Sequence, residues 1–351
     1  MWARIQLLLA AVLFSTGGAA IKGVELSAWE VACYRSGIAA LTLLVLMPSA
    51  RRGLGRAAFG VGVAYATTLT LFVGANKLTT SANAIFLQST APLYLLLLAP
   101  WLLKERTRTR DVVAMAGIAL GLAAFFVGTE EPRASAPDPL LGDLLGAGAG
   151  LCWAVTVLGL RALGRREDGA GLAPVVAGNL VAFAACLPFA LAARAAAQAA
   201  ADAAYVPGGA TPAGETAHFA RDLTLLLYLG VFQIGLAYVF VTRGLRKVTA
   251  LEASLLLMAE PALNPFWAWL SHGEVPGPWA LGGGALILGV TVVKAVAEAS
   301  GRDGPGPDVH NGPARGASPE TAATPGPGPG ARGRPEVPTE PTSPPPGSRT
   351  R

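Results

Sequence analysis

Charged side chains are scarce in this chain. Asp, Glu, Lys and Arg make up 14% of its 351 residues, whereas a soluble globular protein has about 25%. Apolar residues make up 52% of the whole, even though residues 299–351 are polar. No soluble core needs so much apolar sequence. The composition therefore excludes a soluble globular domain and predicts that most of the chain lies in a lipid bilayer.

Cysteine and histidine are also rare, with three residues of each type. Cys33, Cys152 and Cys186 lie inside apolar runs, and their odd number and spacing fit neither a disulfide framework nor a metal site. The histidines fall in connections or in the tail, and no HExxH spacing occurs. Basic residues form no continuous face that a nucleic acid would need. We therefore expect no enzyme activity, no metal or other cofactor, and no nucleic-acid partner.

Ten apolar segments of about 20 residues follow one another along the chain. Each is long enough for a helix to cross about 30 Å of hydrocarbon, and lipid requires helices because it leaves no backbone group without a partner. We number these segments spans I to X, with approximate limits of 5–22, 28–48, 57–75, 80–103, 110–128, 143–163, 172–193, 222–242, 249–271 and 277–298. The predicted fold is an all-α polytopic membrane protein with ten transmembrane helices.

Lysine and arginine are divided unevenly between the two sets of connections. The N-terminus and the connections II–III, IV–V, VI–VII and VIII–IX together have fourteen, whereas the opposite set has five. Connections rich in Lys and Arg stay in the cytoplasm. We therefore predict a multi-pass protein of the cell (inner) membrane with both termini in the cytoplasm.

One pattern occurs twice in the chain. The stretch 77–105 has a counterpart at 247–274, and in each copy a glutamate follows the internal proline by thirteen positions. Each copy occupies the fourth span of a set of five. Because five is odd, two such sets joined in sequence cross the bilayer in opposite senses, which is typical of inverted-repeat transporters.

The predicted domains follow from this repeat. The first five-helix repeat takes residues 5–128, an acidic external linker takes 129–142, and the second five-helix repeat takes 143–298. Residues 299–351 are rich in Pro, Gly, Ser and Thr, and such a segment cannot bury enough surface to offset its ordering entropy. We predict that it is a disordered cytoplasmic tail.

Several short motifs cluster in the second half of the chain, with weaker matches in the first. They are Tyr228-Leu229-Gly230-Val231, the stretch 243–250, Glu260-Pro261, Gly273-Glu274 and Gly282-Gly283-Gly284, with Arg35 and Ala75-Asn76-Lys77 in the first half. This set resembles the EamA-type permeases of the drug/metabolite transporter superfamily. The resemblance implies ten helices in two inverted five-helix repeats and a substrate site between them near the midplane. Members move small metabolites, amino acids or drugs, commonly outward and often coupled to ion gradients.

Two ionisable side chains lie deep inside the predicted spans. Arg35 is about eight residues into span II, hence about 12 Å deep, where an unpaired arginine costs about 2.5–3.5 kcal/mol. Its planar fork suits a carboxylate or another anion. The alternatives are an arginine that extends outward to the membrane surface and one that bonds to the carbonyl groups of a neighbouring helix. Glu260 is about ten residues into span IX. We interpret it as a group that binds and releases a proton, or that holds a kinked helix against a neighbour.

Polar side chains concentrate in spans III, IV, VIII and IX, and some of them should line a substrate path because polar groups facing lipid are costly. The predicted lining residues are Gln88, Tyr94, Gln233 and Asn264. Pro92 and Pro261 each remove a backbone donor and predict a hinge or kink at matching places in the two repeats. The small residues of 117–121 permit close helix packing or a homodimer contact.

We predict a membrane permease that moves a small organic metabolite or drug by alternating access, as a secondary-active exporter with protons as its candidate coupling ion. Two alternatives stay open. One is a flippase for lipid-linked precursors on the same fold. The other is a non-transporting membrane scaffold whose proline-rich tail recruits partners.

Overall fold

The computed structural model describes residues 1–102, 109–127, 131–164, 171–204, 215–245, 247 and 256–299. Within these residues the structure is helical, apart from turns and one isolated bridge between Arg133 and Ala136. The helices of the first half are α1 Trp2–Ser15, α2 Gly17–Gly23, α3 Ala28–Leu46, α4 Arg56–Leu78, α5 Ser81–Gln88, α6 Ala91–Leu102 and α7 Thr109–Val127, with a 3-10 helix at Pro48–Gly53. Those of the second half are α8 Pro139–Gly164, α9 Ala173–Ala204, α10 Glu215–Leu227, a π-helix at Tyr228–Leu236, α11 Ala237–Leu245, α12 Ala259–His272 and α13 Pro278–Ala299.

Eight segments of the described chain are long and apolar enough to cross a bilayer, and they coincide with predicted spans I to VIII. A shorter apolar helix, Pro278–Lys294, lies at the position of span X. Helix α12 covers the second part of span IX, and residues 248–255, where that span begins, lie outside the described residues. The all-helical membrane architecture is therefore confirmed, whereas the count of ten and the inverted sense of the two halves stay predictions.

Span I and span IV are each built from two helices. Span IV breaks between α5, which ends at Gln88, and α6, which begins at Ala91. The cause is Pro92, because a proline has no N–H for the carbonyl group four residues earlier and its ring clashes with that group. In span IX a turn at Met258 precedes Pro261 in the same way. The helix is thus interrupted just before each of the two prolines that the sequence singles out.

A nine-residue π-helix, Tyr228–Leu236, interrupts span VIII and packs against α3. The approach is close: a Cβ atom on Gly230 would lie 2.5 Å from the side chain of Ile38 and 3.0 Å from the carbonyl oxygen of Arg35. Such π-bulges are rare and are frequent at functional sites. The sequence pattern does not predict this element, and its place beside Arg35 directs attention to that region.

The helix pairings of the two halves occur in matched sets. Helix α4 of span III packs against spans VI and VII, and the corresponding helices of span VIII pack against spans I and II. Span II packs on span VII, and span V packs on span X. If each span is renamed as its counterpart in the other half (I as VI, II as VII, III as VIII, V as X, and the reverse), the same set of contacts is obtained. An internal structural repeat is expected to give such an arrangement, and the contacts interlock the two halves.

Candidate functional site

A cavity of about 330 Å³ lies at the centre of this interlocked bundle. Spans I, II, III, IV, VI, VIII, IX and X all contribute to its wall. Its polar lining residues are Arg35, Tyr65, Thr68, Gln88, Ser89, Gln233, Tyr238, Glu260 and Thr291. Small-molecule sites are concave, mostly apolar and fitted with a few polar groups. The cavity therefore has the composition of a binding site for a small molecule.

Arg35 is the most deeply placed cation of this cavity. Its side chain is 2% exposed, and its Nε and Nη1 atoms have no hydrogen-bond partner among the described residues. Helix α3 holds it in place: a capping box between Ser27 and Glu30 fixes the start of the helix, with 3.0 Å from the Ser27 amide to Glu30 Oε2. Glu30 is thereby engaged at the helix end. A buried guanidinium group with free donors that lines a cavity is suited to bind an anion.

Four aromatic rings form an arc along the same wall, which we call the aromatic arc: Phe14, Tyr238, Tyr65 and Trp153. Successive ring centroids are 5.3, 6.0 and 6.2 Å apart, and the rings meet edge-on or tilted. These are favourable aromatic geometries. The four rings come from spans I, VIII, III and VI, which correspond in pairs between the two halves. The arc gives the cavity flat aromatic surfaces, and two of its rings, Tyr65 and Tyr238, also bring a hydroxyl group.

Glu260 lines the cavity from the first turn of α12. The partial positive charge at the N-terminus of a helix acts on the Glu260 side chain at this position. Pro261 and Pro92 line the cavity next to the two helix breaks. The structure thus brings Arg35 and Glu260 to one cavity, although they lie in different halves of the sequence.

Of the four predicted lining residues, Gln88 and Gln233 line the cavity. The Oε1 atom of each has no partner among the described residues, and Gln233 Nε2 donates to the Phe14 carbonyl oxygen at 3.4 Å. Tyr94 and Asn264 are not among the described lining residues. Asn264 is fully buried beside Gly18, towards one end of the bundle.

Span I is tightly packed between the cavity and that end. A Cβ atom on Gly17 would lie 2.6 Å from Gln233 Nε2. On Gly18 it would lie 2.8 Å from Asn76 Oδ1 and 3.0 Å from Asn264 Nδ2. Glycine at these two positions lets side chains of spans III, VIII and IX approach span I closely, and a larger residue would require them to move.

A cluster of buried polar residues lies at this end of the bundle. We call it the end cluster, and its members are Lys22, Thr79, Ser81, Asp143 and Glu274. Lys22 Nζ lies 2.8 Å from Glu274 Oε1, and their side chains are 6% and 2% exposed. Asp143 accepts from Thr79 Oγ1 at 2.7 Å, and Glu274 Oε2 accepts from the Ser81 amide at 3.0 Å. In the sequence, Lys22 is one of the five basic residues counted in this set of connections, and Glu274 is the glutamate that ends the second copy of the repeated pattern. The recurrence of a glutamate at the end of both copies was the available signal.

The connections that the sequence assigns to one side of the membrane meet at this same end. Asp222 Oδ1 accepts from the Glu25 amide at 3.0 Å, and His218 Nδ1 lies 2.8 Å from Glu25 Oε2. Lys77 Nζ donates to the Val24 carbonyl oxygen. The connections I–II, III–IV, V–VI, VII–VIII and IX–X therefore share one face of the bundle. That this face is external stays a prediction.

A profile of the EamA-like transporter family matches residues 1–127 and 140–294. The two matched stretches leave out 128–139 and 295–351. A comparison with curated proteins finds no match. Sixteen chains of solved structures match. One of them, described as the crystal structure of a protein, has 20% sequence identity, covers 84% of this chain and 98% of its own, and superposes with a TM-score of 0.47.

Proposed function

The chain belongs to the EamA-like transporter family, and on that premise we propose that it is a permease for a small organic solute with an anionic group. It is a multi-pass membrane protein with apolar helices. The observation that carries the proposal is Arg35, a buried guanidinium group that lines the central cavity with two nitrogen atoms unpartnered among the described residues. A carboxylate of the solute supplies the acceptors that these donors need.

The size and lining of the cavity limit the rest of the solute. About 330 Å³ is near the lower end of the usual range for ligand sites, which favours a small metabolite over a large drug. The aromatic arc provides flat apolar surfaces for the body of the solute. Gln88 and Gln233 add amide groups for orientation. The proposed solute is therefore a compact organic anion with an apolar part.

Alternating access is the mechanism that this architecture favours. The matched pairings of the spans support two repeats that rock against each other around a central site. In the present conformation the end cluster closes one end, and the cavity lining extends towards the other end through Leu95, Val241 and Met258. That second end is cytoplasmic by the Lys and Arg distribution. A solute entering there would leave on the outside, so we propose export.

The proposal is tested by comparing the metabolites released by cells that contain the gene with those of cells that lack it. Candidates are then presented to proteoliposomes as matched pairs, each carboxylate beside its neutral amide. We expect release of a small carboxylate and faster flux for the carboxylate of each pair. Equal flux for both members of every pair, or no difference in release, contradicts the proposed function.

Proton coupling through Glu260 is a further part of this proposal. Arg35, Tyr65 and Tyr238 share the cavity with this carboxyl group, so a change in its charge acts directly on the solute site. With one proton moved per solute, a pH gradient of about one unit supports about tenfold accumulation, since 1.4 kcal/mol is a factor of ten. Glu260→Gln is expected to lose the response to the gradient while retaining downhill flux.

The measurement is uptake into proteoliposomes with and without the pH gradient. Asp202→Asn is the matched control, because Asp202 is an exposed acid near the end of α9 that contacts Gln198 at 3.1 Å. This control is expected to keep the response. If the unaltered protein and Glu260→Gln have equal fluxes, both with and without the pH gradient, proton coupling through Glu260 is refuted.

A further inference from the structure

We propose that Lys22 and Glu274 are the gate residues of this transporter, and that the solute path opens at their end of the bundle when the ion pair between them breaks. The inference rests on the proposed function, because it assigns these two residues a part in alternating access. It goes beyond the cavity, since neither residue lines it.

The ion pair joins elements from both halves of the chain. Lys22 lies in the last turn of α2, and Glu274 lies two residues after the end of α12. Lys22 Nζ also donates to the Thr79 carbonyl oxygen at 2.8 Å and to the Ser135 carbonyl oxygen. The ammonium group thus has two carbonyl acceptors and, as an ion pair, the Glu274 carboxylate. Span I and the connections III–IV, V–VI and IX–X are therefore held together through one nitrogen atom.

The chain places the Glu274 carboxylate specifically. Helix α12 ends in a left-handed turn at Gly273, with φ of 65°, and a Cβ atom is unfavourable in that conformation. The turn directs the chain back over the bundle, so that Glu274 Oε2 accepts from the Ser81 amide at the start of α5. The positive end of that helix favours the charged carboxylate. Glu274 thereby ties span IX to span IV as well.

The pair lies beyond the cavity along span I. Phe14 of the aromatic arc lines the cavity, and Lys22 follows it by eight residues. Between them, Gly17 and Gly18 are in close contact with spans III, VIII and IX. In the proposed cycle a solute leaves towards this end past this layer, and the ion pair between spans I and IX breaks when the layer separates.

The chemistry of the pair suits a contact that opens and closes. A buried ion pair adds little net stability because desolvation offsets much of its attraction. When this end opens, both charged groups are hydrated again. An apolar contact at the same place would instead expose its surface to water without any compensating interaction. Closed and open states are therefore close in free energy, as a transport cycle requires. If this contact only had to hold the helices together permanently, apolar side chains would do so equally well.

The test uses a full-length protein in which the three native cysteines are replaced by serine and Ser89 is replaced by cysteine. Ser89 lines the cavity, so the rate of its labelling by a membrane-impermeant thiosulfonate added outside intact cells measures opening at the end cluster. Lys22→Met is expected to raise this rate about tenfold, because it leaves the Glu274 carboxylate buried without its partner and so destabilises the closed state. An unchanged rate overturns the proposal.

Lys294→Met is the matched control. Lys294 Nζ lies 2.6 Å from Asp111 Oδ1 at the other end of the bundle, where it joins α13 to α7. Its loss removes an ion pair of similar geometry but is expected to leave external labelling of the Ser89 cysteine unchanged. If Lys294→Met accelerates labelling as much as Lys22→Met, the effect is general loosening and the gate is refuted.

A double-mutant cycle shows whether the two residues act as a pair. Lys22→Met and Glu274→Gln together are expected to label no faster than the faster single variant, because one contact is broken only once. If the two substitutions together raise the labelling rate by the product of their single effects, the two residues do not act as one gate. The labelling assay needs no solute, so the two proposals can fail separately. Accelerated labelling without any transported carboxylate supports the gate and refutes the proposed function. Carboxylate transport with an unchanged labelling rate supports the proposed function and refutes the gate.

Discussion

Replacing Arg35 with glutamine is expected to lower the transport of a small carboxylate by about 10- to 100-fold, because hydrogen bonds to charged groups contribute about 1.5–3 kcal/mol. Glutamine keeps a polar group in the cavity but has neither the charge nor the planar fork. Arg35→Lys keeps the charge alone, and we expect it to restore part of the flux. The ratio of carboxylate flux to amide flux should change most, and we expect the glutamine variant to have no preference for the carboxylate.

The measurement is flux into proteoliposomes for one carboxylate and its matched amide. Arg51→Gln is the control, since Arg51 is an exposed arginine whose Nε and Nη2 donate to the Leu44 carbonyl oxygen at 3.0 and 2.7 Å, away from the cavity. It should transport like the unaltered protein. If Arg35→Gln retains both its flux and its preference for the carboxylate, Arg35 fixes neighbouring helices and the solute site lies elsewhere.

Replacing Gly283 with valine is expected to give the largest loss of stability among the glycine positions of span X. A Cβ atom there would lie 2.6 Å from the Gly121 carbonyl oxygen and 2.9 Å from the Phe125 ring. Because the nearest atom belongs to backbone, α7 and α13 must move apart. Overpacking of this kind costs about 1–3 kcal/mol or more. The thermal unfolding midpoint of the detergent-solubilised protein should fall by several degrees.

The neighbouring glycine provides the control. A Cβ atom on Gly282 meets no atom within 4 Å, so Gly282→Val should unfold at the temperature of the unaltered protein. Both variants add the same side chain to the same helix, so their difference isolates the contact between α7 and α13. Equal unfolding midpoints for the two variants contradict the close packing of spans V and X.

The small residues of 117–121 illustrate what a sequence pattern leaves open. The pattern predicts close packing and does not identify the partner. In the structure Gly117 faces Val290 and Gly121 faces Ile287 and Gly283, so the described contact is made within the chain. A homodimer stays a prediction.

Features that depend on local chemistry were predictable from the sequence. Apolar length locates the spans, and the geometry of proline accounts for the breaks before Pro92 and Pro261. The depth of Arg35 within span II indicated a functional group, and the structure places it in the wall of the cavity. In these cases the physical cause lies within a few residues of the feature.

Features that depend on distant partners were not predictable in this way. A lysine at the end of a span has the same pattern whether it faces water or a carboxylate, and the Glu274 partner of Lys22 lies in the other half of the chain. The π-helix at 228–236 depends on the close approach of Gly230 to α3, which no local periodicity encodes. Phe14 and Trp153 join the aromatic arc only because spans I and VI are brought to one cavity.

The central claim is that spans of alternating direction place the two sets of connections on opposite sides of the membrane. It is tested most directly with single cysteines at two exposed positions, Thr109→Cys before span V and Ala134→Cys after it, in the cysteine-free protein. An impermeant thiol reagent added to intact cells should label the cysteine at 134 and leave that at 109 unlabelled, with the opposite result in inverted vesicles. Labelling of both cysteines from the same side would contradict the topology and, with it, the two-repeat transporter.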